Sequence, residues 1–189
     1  MPAARLLLIV LAVSLATPAV AQDSGPAFAG IPNVTIDYYP VTGTSIAEIR
    51  TAMAAKGLRD SSDGSAVDAL TRIELRWHWP GDGKRRCNLA KAKVEFKATV
   101  TMPRLADADA VPDAVRTLWY AFAAALAAHE AGHVRHGHSR VADMKAAILA
   151  SDCAGANAAA LAVVAETTRR DREYDRETAH GRLQGAVLE

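Results

Sequence analysis

A long segment with a helical repeat of apolar residues, from about Pro112 to Ser151, constrains this fold more than any other part of the chain. At about 100° per residue, several of its side chains fall on one narrow stripe. They are Leu118, Phe122, Ala125, Leu126, His129 and His133. A helix with such a face must bury it against another layer. Both histidines therefore point where the core residues point.

The motif on this helix is His129-Glu-Ala-Gly-His133. Two histidines one turn apart can hold one ion at about 2 Å from each ring, which is the H-E-x-x-H zinc pattern. Glu130 leaves the helix about 100° away from His129. It can therefore reach a water that zinc activates without binding the ion itself, as a general base does. The motif predicts His129 and His133 as zinc ligands and Glu130 as the catalytic residue. The alternative is a pair of core histidines with ordinary hydrogen-bond partners.

A catalytic zinc ion takes three protein ligands, so one more is needed. His136 lies on the same stripe but about 10.5 Å along the axis from His129, too far to share one ion. We interpret it as a surface or outer-shell residue. His180 stands where the chain can leave a second helix, and it is the predicted third ligand. Asp175 faces inward by phase and is the alternative, either as the ligand itself or as a proton acceptor for a ligand histidine.

The rest of the chain predicts a small sheet. Three stretches have the alternation or composition of strands, and Ser45 with Glu48 forms a capping box that starts a short helix. The predicted strands run over 34–39, 70–79 and 94–102, with stops at Pro40 and Pro103, and a second long helix covers about 157–179. We therefore expect one zincin-like α+β domain over 34–189, in which a small antiparallel sheet of about three strands is covered by two long helices.

The first residues predict export. Residues 1–21 have one early positive charge, an apolar run and a small-residue cleavage site after Ala21, which is typical of a secretory signal peptide. Residues 22–33 are small and punctuated by Gly and Pro, and predict a flexible lead-in. The mature chain is expected to be periplasmic or secreted, without stable membrane insertion after signal cleavage, because the apolar run is too short to span a bilayer comfortably.

The cysteine content is consistent with an exported protein, and the charge bears on its partners. The two cysteines, Cys87 and Cys153, predict one disulfide in an oxidising compartment, with two free buried thiols as the alternative. The whole chain has 22 basic and 21 acidic residues. Nothing in this balance argues for nucleic acid, and we expect no nucleic-acid partner.

Beyond single motifs, the chain resembles a bacterial family of predicted secreted zinc-dependent proteases, catalogued largely as a domain of unknown function. The resemblance runs over nearly the whole mature chain. It rests on Tyr39-Pro-Val-Thr-Gly-Thr-Ser45, Thr71-Arg72 before Trp77, Cys87, Met102-Pro-Arg104, Trp119, Phe122, Ala125-Leu126, the motif His129 to His133, Cys153, Tyr174-Asp175, Thr178, His180-Gly181 and Gln184-Gly185. The resemblance implies that Asp175 and His180 belong with the site. The chain departs from it in its last two residues and at His136.

Two further residues beside the proposed ligands have open interpretations. Gly132 costs a helix about 1 kcal/mol relative to Ala. Either it lets another segment approach the metal, or it is simply tolerated. Tyr174 either packs between the helices or stabilises an oxyanion.

Two functional hypotheses follow. The first is an exported zinc-dependent metallopeptidase in which a water activated by zinc (Zn2+) and Glu130 hydrolyses a peptide or protein substrate. The second is a non-catalytic periplasmic zinc-containing binding or scaffold protein, in which the ion only cross-links the helices.

Overall fold

The structure is a computed structural model that describes residues 25–60, 63–81 and 86–189. Its architecture is α+β, as predicted: a small three-strand sheet with three α-helices, two of them long. The elements in chain order are β1 (Val34–Val41), α1 (Ile46–Lys56), β2 (Leu70–His78), β3 (Lys93–Leu105), α2 (Asp113–Leu149) and α3 (Ala156–Thr178). The predicted signal peptide lies outside the described residues.

The sheet is mixed, with strand order β1-β3-β2. β2 and β3 form the expected antiparallel hairpin, with Ile73 opposite Ala98. β1, however, runs parallel to β3, with Ile36 opposite Val100, so the sheet is not antiparallel throughout. The chain reverses twice between β1 and β3, through α1 and then through the hairpin, and the two outer strands therefore have opposite directions.

Two strands continue past the prolines that were expected to stop them. β1 includes Pro40 and ends at Val41, and β3 includes Pro103 and ends at Leu105. β1 is an outer strand, and the pairing of β3 with β2 ends at Thr101. A proline is tolerated in such places because no neighbouring strand needs its missing amide hydrogen.

The core lies between the sheet and α2. Every second residue of β3 from Phe96 to Met102 is buried, as the alternation predicted. Trp119 and Phe122 of α2 are also buried in this core. Leu118, which the helical stripe placed beside them, is 48% exposed. The buried face of α2 is centred nearer to Trp119 than the stripe suggested.

α2 packs against the sheet on one side and against α3 on another. Near its middle, residues in almost every direction are therefore buried, including His129, Glu130 and Val134. Consecutive residues on a helix point about 100° apart. This arrangement lets His129 face α3 while Glu130 faces the sheet.

The connections between elements are also fixed. The Ser45 side chain accepts a hydrogen bond from the Glu48 amide, and the Ser45 amide donates one to the Glu48 carboxylate, so the predicted capping box is present. The predicted disulfide joins Cys87 in the β2–β3 connection to Cys153 in the α2–α3 connection. Within the described ranges, no helix combines the length and apolarity needed to cross a membrane.

Candidate metal centre

The centre forms where the middle of α2 faces the last turns of α3. The ligand atoms of His129, His133 and Asp175 all lie within 4.8 Å of one another. Nε2 of His129 lies 3.3 Å from Oδ1 of Asp175, and Nε2 of His133 lies 3.0 Å from the same oxygen. Ligand atoms that surround one tetrahedral ion at about 2 Å are separated by about 3.3 Å. These three side chains therefore have the spacing of a metal-binding group.

The other nitrogen of each imidazole has a partner of its own. Nδ1 of His129 lies 2.9 Å from Oε1 of Gln184, and Nδ1 of His133 lies 3.3 Å from Oδ1 of Asp171. Both partners are hydrogen-bond acceptors, so each Nδ1 donates to its partner when it carries the ring hydrogen. Outer partners of this kind fix the tautomer of metal-binding histidines.

The tautomer decides how each Nε2 interacts with the Asp175 carboxylate. If Nδ1 carries the hydrogen, Nε2 of a neutral imidazole presents a lone pair. For His129 and His133 that lone pair points towards the carboxylate of Asp175. Such an arrangement is repulsive unless a proton or a metal ion lies between the atoms. The donor set therefore fits a divalent cation such as zinc, which prefers nitrogen and carboxylate ligands.

The centre also perturbs the pKa values of its ionisable groups. Burial lowers the pKa of the His133 imidazole, but its hydrogen bonds to Asp171 and Asp175 outweigh burial and raise the pKa to about 10. Burial raises the pKa of the Asp175 carboxyl, but its contacts with His129 and His133 outweigh this and hold the pKa well below its usual range. The site thus favours positive charge on the His133 ring and negative charge on the Asp175 carboxylate.

Glu130 is buried on the side of α2 that faces the sheet. The hydroxyl of Thr71, at the start of β2, donates a 2.6 Å hydrogen bond to Oε2 of Glu130. Burial raises the pKa of the Glu130 carboxyl, and the charge of His133 and the Thr71 hydrogen bond only partly offset it. A carboxylate with a raised pKa beside a metal-binding group has the properties of a general base.

Tyr174 packs between the helices at the centre. Its ring stacks on the His129 ring at a centroid distance of 5.0 Å and an interplanar angle of 11°. Its hydroxyl lies 3.3 Å from the His129 carbonyl oxygen and 3.1 Å from Nε2 of Gln184. A Cβ at Gly132 would lie 2.3 Å from this hydroxyl. The glycine therefore admits the tyrosine ring, rather than a second backbone, next to the histidines.

His180, the predicted third ligand, lies in the turn that follows α3. α3 ends at Thr178, and Ala179 and His180 both have positive φ values of 50° and 52°. This turn places Nδ1 of His180 3.7 Å from Oδ1 of Asp175. His180 belongs to a second group of ligand atoms with Asp60 and Asp175, not to the group of His129 and His133.

The remaining histidines of α2 lie outside the metal-binding group. His136 shares Asp171 with His133, since its Nδ1 lies 2.9 Å from the same carboxylate oxygen. The His138 ring instead makes an edge-to-face contact with the Phe96 ring of β3.

The centre opens into a cavity of about 560 Å³. His129, Glu130 and His133 line it from α2, and Asp171 and Asp175 line it from α3. The segment 66–71, which leads into β2, forms another part of its wall. The metal-binding group and Glu130 therefore line one and the same cavity.

Three residues of the centre had no predicted role: Thr71, Asp171 and Gln184. Thr71 and Gln184 stood among the residues of the family resemblance, which said nothing of their contacts. Asp171 lies one helical turn before Asp175, just as His129 lies one turn before His133. This matched spacing on two antiparallel helices was the signal that could have identified it.

Comparison with known proteins gives a family for the chain. A model of a bacterial protein family of unknown function, DUF922, matches residues 36–181, which includes His129, His133, Asp175 and His180. Comparison with curated proteins gives no match, and comparison with solved structures gives none either. Because the family model covers more than half of its length, this chain belongs to the DUF922 family of bacterial proteins of unknown function.

Proposed function

We propose that this protein is an exported zinc-dependent metallopeptidase with His129, His133 and Asp175 as zinc ligands and Glu130 as general base. The observation that carries the proposal is the convergence of two imidazole Nε2 atoms on one oxygen of Asp175, at 3.3 and 3.0 Å. Two nitrogens and one oxygen leave the fourth position of a tetrahedral zinc site for water or substrate. A zincin-like fold stays a prediction that accompanies this proposal.

The choice of Asp175 as third ligand rests on distance. The predicted third ligand, His180, approaches Asp175 but is absent from the group of atoms that includes the two motif histidines. A carboxylate is a weaker ligand type than an imidazole, but Asp175 is mostly buried and lies opposite both rings. Asp175 can therefore complete the set without any movement of the chain.

The chemistry divides between the ion and Glu130. Zinc, when bound, supplies a Lewis acid that polarises the scissile carbonyl group and lowers the pKa of a water molecule. Glu130 accepts a proton from the attacking water and later donates it to the leaving amine. Thr71 engages Oε2 of Glu130, so we assign the proton to Oε1. The raised pKa of the carboxyl suits a group that must both accept and return a proton.

The substrate proposed for this centre is an extended peptide or protein segment. β2 lies at one edge of the sheet, and its first residues, Leu70 and Thr71, line the cavity. A peptide that pairs with this edge as an added strand would pass the zinc ligands and Glu130.

Export is supported by the disulfide. The bond between Cys87 and Cys153 is of a kind that forms and persists in an oxidising compartment. It agrees with the signal peptide that residues 1–21 predict and with a periplasmic or secreted protein.

The test compares wild type with Glu130→Gln, using Glu177→Gln on the exposed side of α3 as the matched control. Gln keeps the shape of Glu and an oxygen that can accept the Thr71 hydrogen bond. We expect both variants to keep the zinc content of wild type, measured by mass spectrometry of the metal. Glu130→Gln should lose hydrolysis of a panel of denatured proteins and peptides, while Glu177→Gln should retain it. Stoichiometric zinc without any hydrolysis by wild type would instead favour the scaffold hypothesis.

A further inference from the structure

A second group of potential ligands lies next to the proposed zinc site. The ligand atoms of Asp60, Asp175 and His180 lie within 4.8 Å of one another. Asp175 belongs to both groups, whereas Asp60 and His180 belong only to this one. The two groups also line the same cavity.

The surroundings of His180 leave room for an ion. Its Nδ1 lies 3.7 Å from Oδ1 of Asp175, and its Nε2 lies 3.8 Å from Oδ2 of Asp63. Both distances are too long for hydrogen bonds. Each nitrogen therefore faces a carboxylate without bonding to it, and a neutral imidazole could donate to only one of them. The 3.7 Å between Nδ1 of His180 and Oδ1 of Asp175 is compatible with two atoms that bind one metal ion from different sides.

The backbone holds these side chains in place. The amide of His180 donates a 2.8 Å hydrogen bond to the carbonyl of Asp175, which fixes the turn after α3. Asp60 lies in a loop closed by an antiparallel bridge between Arg59 and Ala66. Its own amide donates to the carbonyl of Ser65 at 2.9 Å. The ligands are thus positioned by backbone pairing and not by side-chain packing alone.

We infer that Asp60, Asp175 and His180 bind a second divalent cation, so that Asp175 is a carboxylate shared by two ions. All three imidazoles of the centre approach the same carboxylate, since Nε2 of His129, Nε2 of His133 and Nδ1 of His180 lie 3.3, 3.0 and 3.7 Å from Oδ1 of Asp175. Two carboxylates with one imidazole suit a first-row cation such as zinc or manganese. A carboxylate that joins two ions is a recurrent feature of hydrolases that use two metals. The inference rests on the proposed function for the identity of the first ion.

The test measures how many ions bind. Metal-free protein is equilibrated with excess zinc, freed of unbound metal, and analysed for zinc per chain. We expect two equivalents for wild type and for Asp109→Asn, an exposed control. The variants Asp60→Asn and His180→Gln lie on different segments, and each should bind one equivalent of zinc. Thermal unfolding monitored by circular dichroism verifies that both variants are folded.

The outcomes separate the two proposals. One equivalent in wild type, unchanged in Asp60→Asn and His180→Gln, overturns the second site and leaves the proposed zinc site standing. Two equivalents in all four proteins overturn the assignment of these ligands. No zinc in wild type refutes the proposed function together with the inference. A loss of one equivalent of zinc confined to Asp60→Asn and His180→Gln supports the second site with these two residues as ligands.

Discussion

Gly132→Ala is the change whose effect follows most directly from the geometry of the centre. An added Cβ would lie 2.3 Å from Oη, 2.6 Å from Cζ and 2.9 Å from Cε1 of Tyr174. The tyrosine ring cannot simply swing away, because it stacks on the ring of His129. Relief of the overlap must therefore displace the ring, the helix or both.

Two opposing terms set the size of the effect. Alanine is favoured over glycine in a helix by about 1 kcal/mol. Overpacking of a filled site costs about 1–3 kcal/mol. We therefore expect Gly132→Ala to lower the free energy of unfolding by up to about 2 kcal/mol. In a Tyr174→Ala background the overlap is gone, and the same change should raise the free energy of unfolding by about 1 kcal/mol.

The assay is a double-mutant cycle on four proteins: wild type, each single variant and the double variant. Urea unfolding in the presence of a chelator separates packing from metal binding, and the coupling between the two positions should be about 1–3 kcal/mol. A Gly132→Ala variant that is as stabilised in wild type as in the Tyr174→Ala background would refute the steric argument.

Three other predictions concern the disulfide, the capping box and Asp171. The double variant Cys87→Ser, Cys153→Ser removes the disulfide, which joins residues 66 positions apart. From the loop entropy we expect the free energy of unfolding, measured by urea titration, to fall by about 4 kcal/mol. Ser45→Ala removes one half of the capping box and should cost about 1 kcal/mol in the same titration. Asp171→Asn weakens the partner of His133 Nδ1, and zinc affinity by competition with a chelator should fall about 10–100-fold. Unchanged affinity would show that Asp171 does not orient the ring.

Local signals in the sequence were enough to predict most of the helices and strands. The alternation in β3 identifies its buried face from Phe96 to Met102, and Ser45 with Glu48 marks the start of α1. The disulfide could be predicted because the chain has two cysteines and the first residues predict an oxidising compartment. These features depend on residues within one element, or on there being just two cysteines to join.

Features that depend on neighbours in space were harder to predict. The alternation of β1 shows that it is a strand, but not that its partner is β3 or that the two are parallel. Asp171 lies in a run of charged residues, in which Arg169 and Glu173 form an ion pair on the helix surface. Its own side chain turns towards α2, and this becomes visible only once the alignment of α2 with α3 is known.

The position of the disulfide relative to the centre has a mechanical consequence. The bond joins the closed tip of the strand hairpin β2–β3 to the closed tip of the helix hairpin α2–α3. Thr71 and Asp175 lie towards the opposite, open ends of the two hairpins. Rotation about a fixed point displaces distant atoms the most, so any tilt of one hairpin against the other moves the cavity walls more than the tips. The covalent link thus restrains the ends of the two hairpins that lie away from the cavity, and the cavity walls keep the greater freedom to move apart.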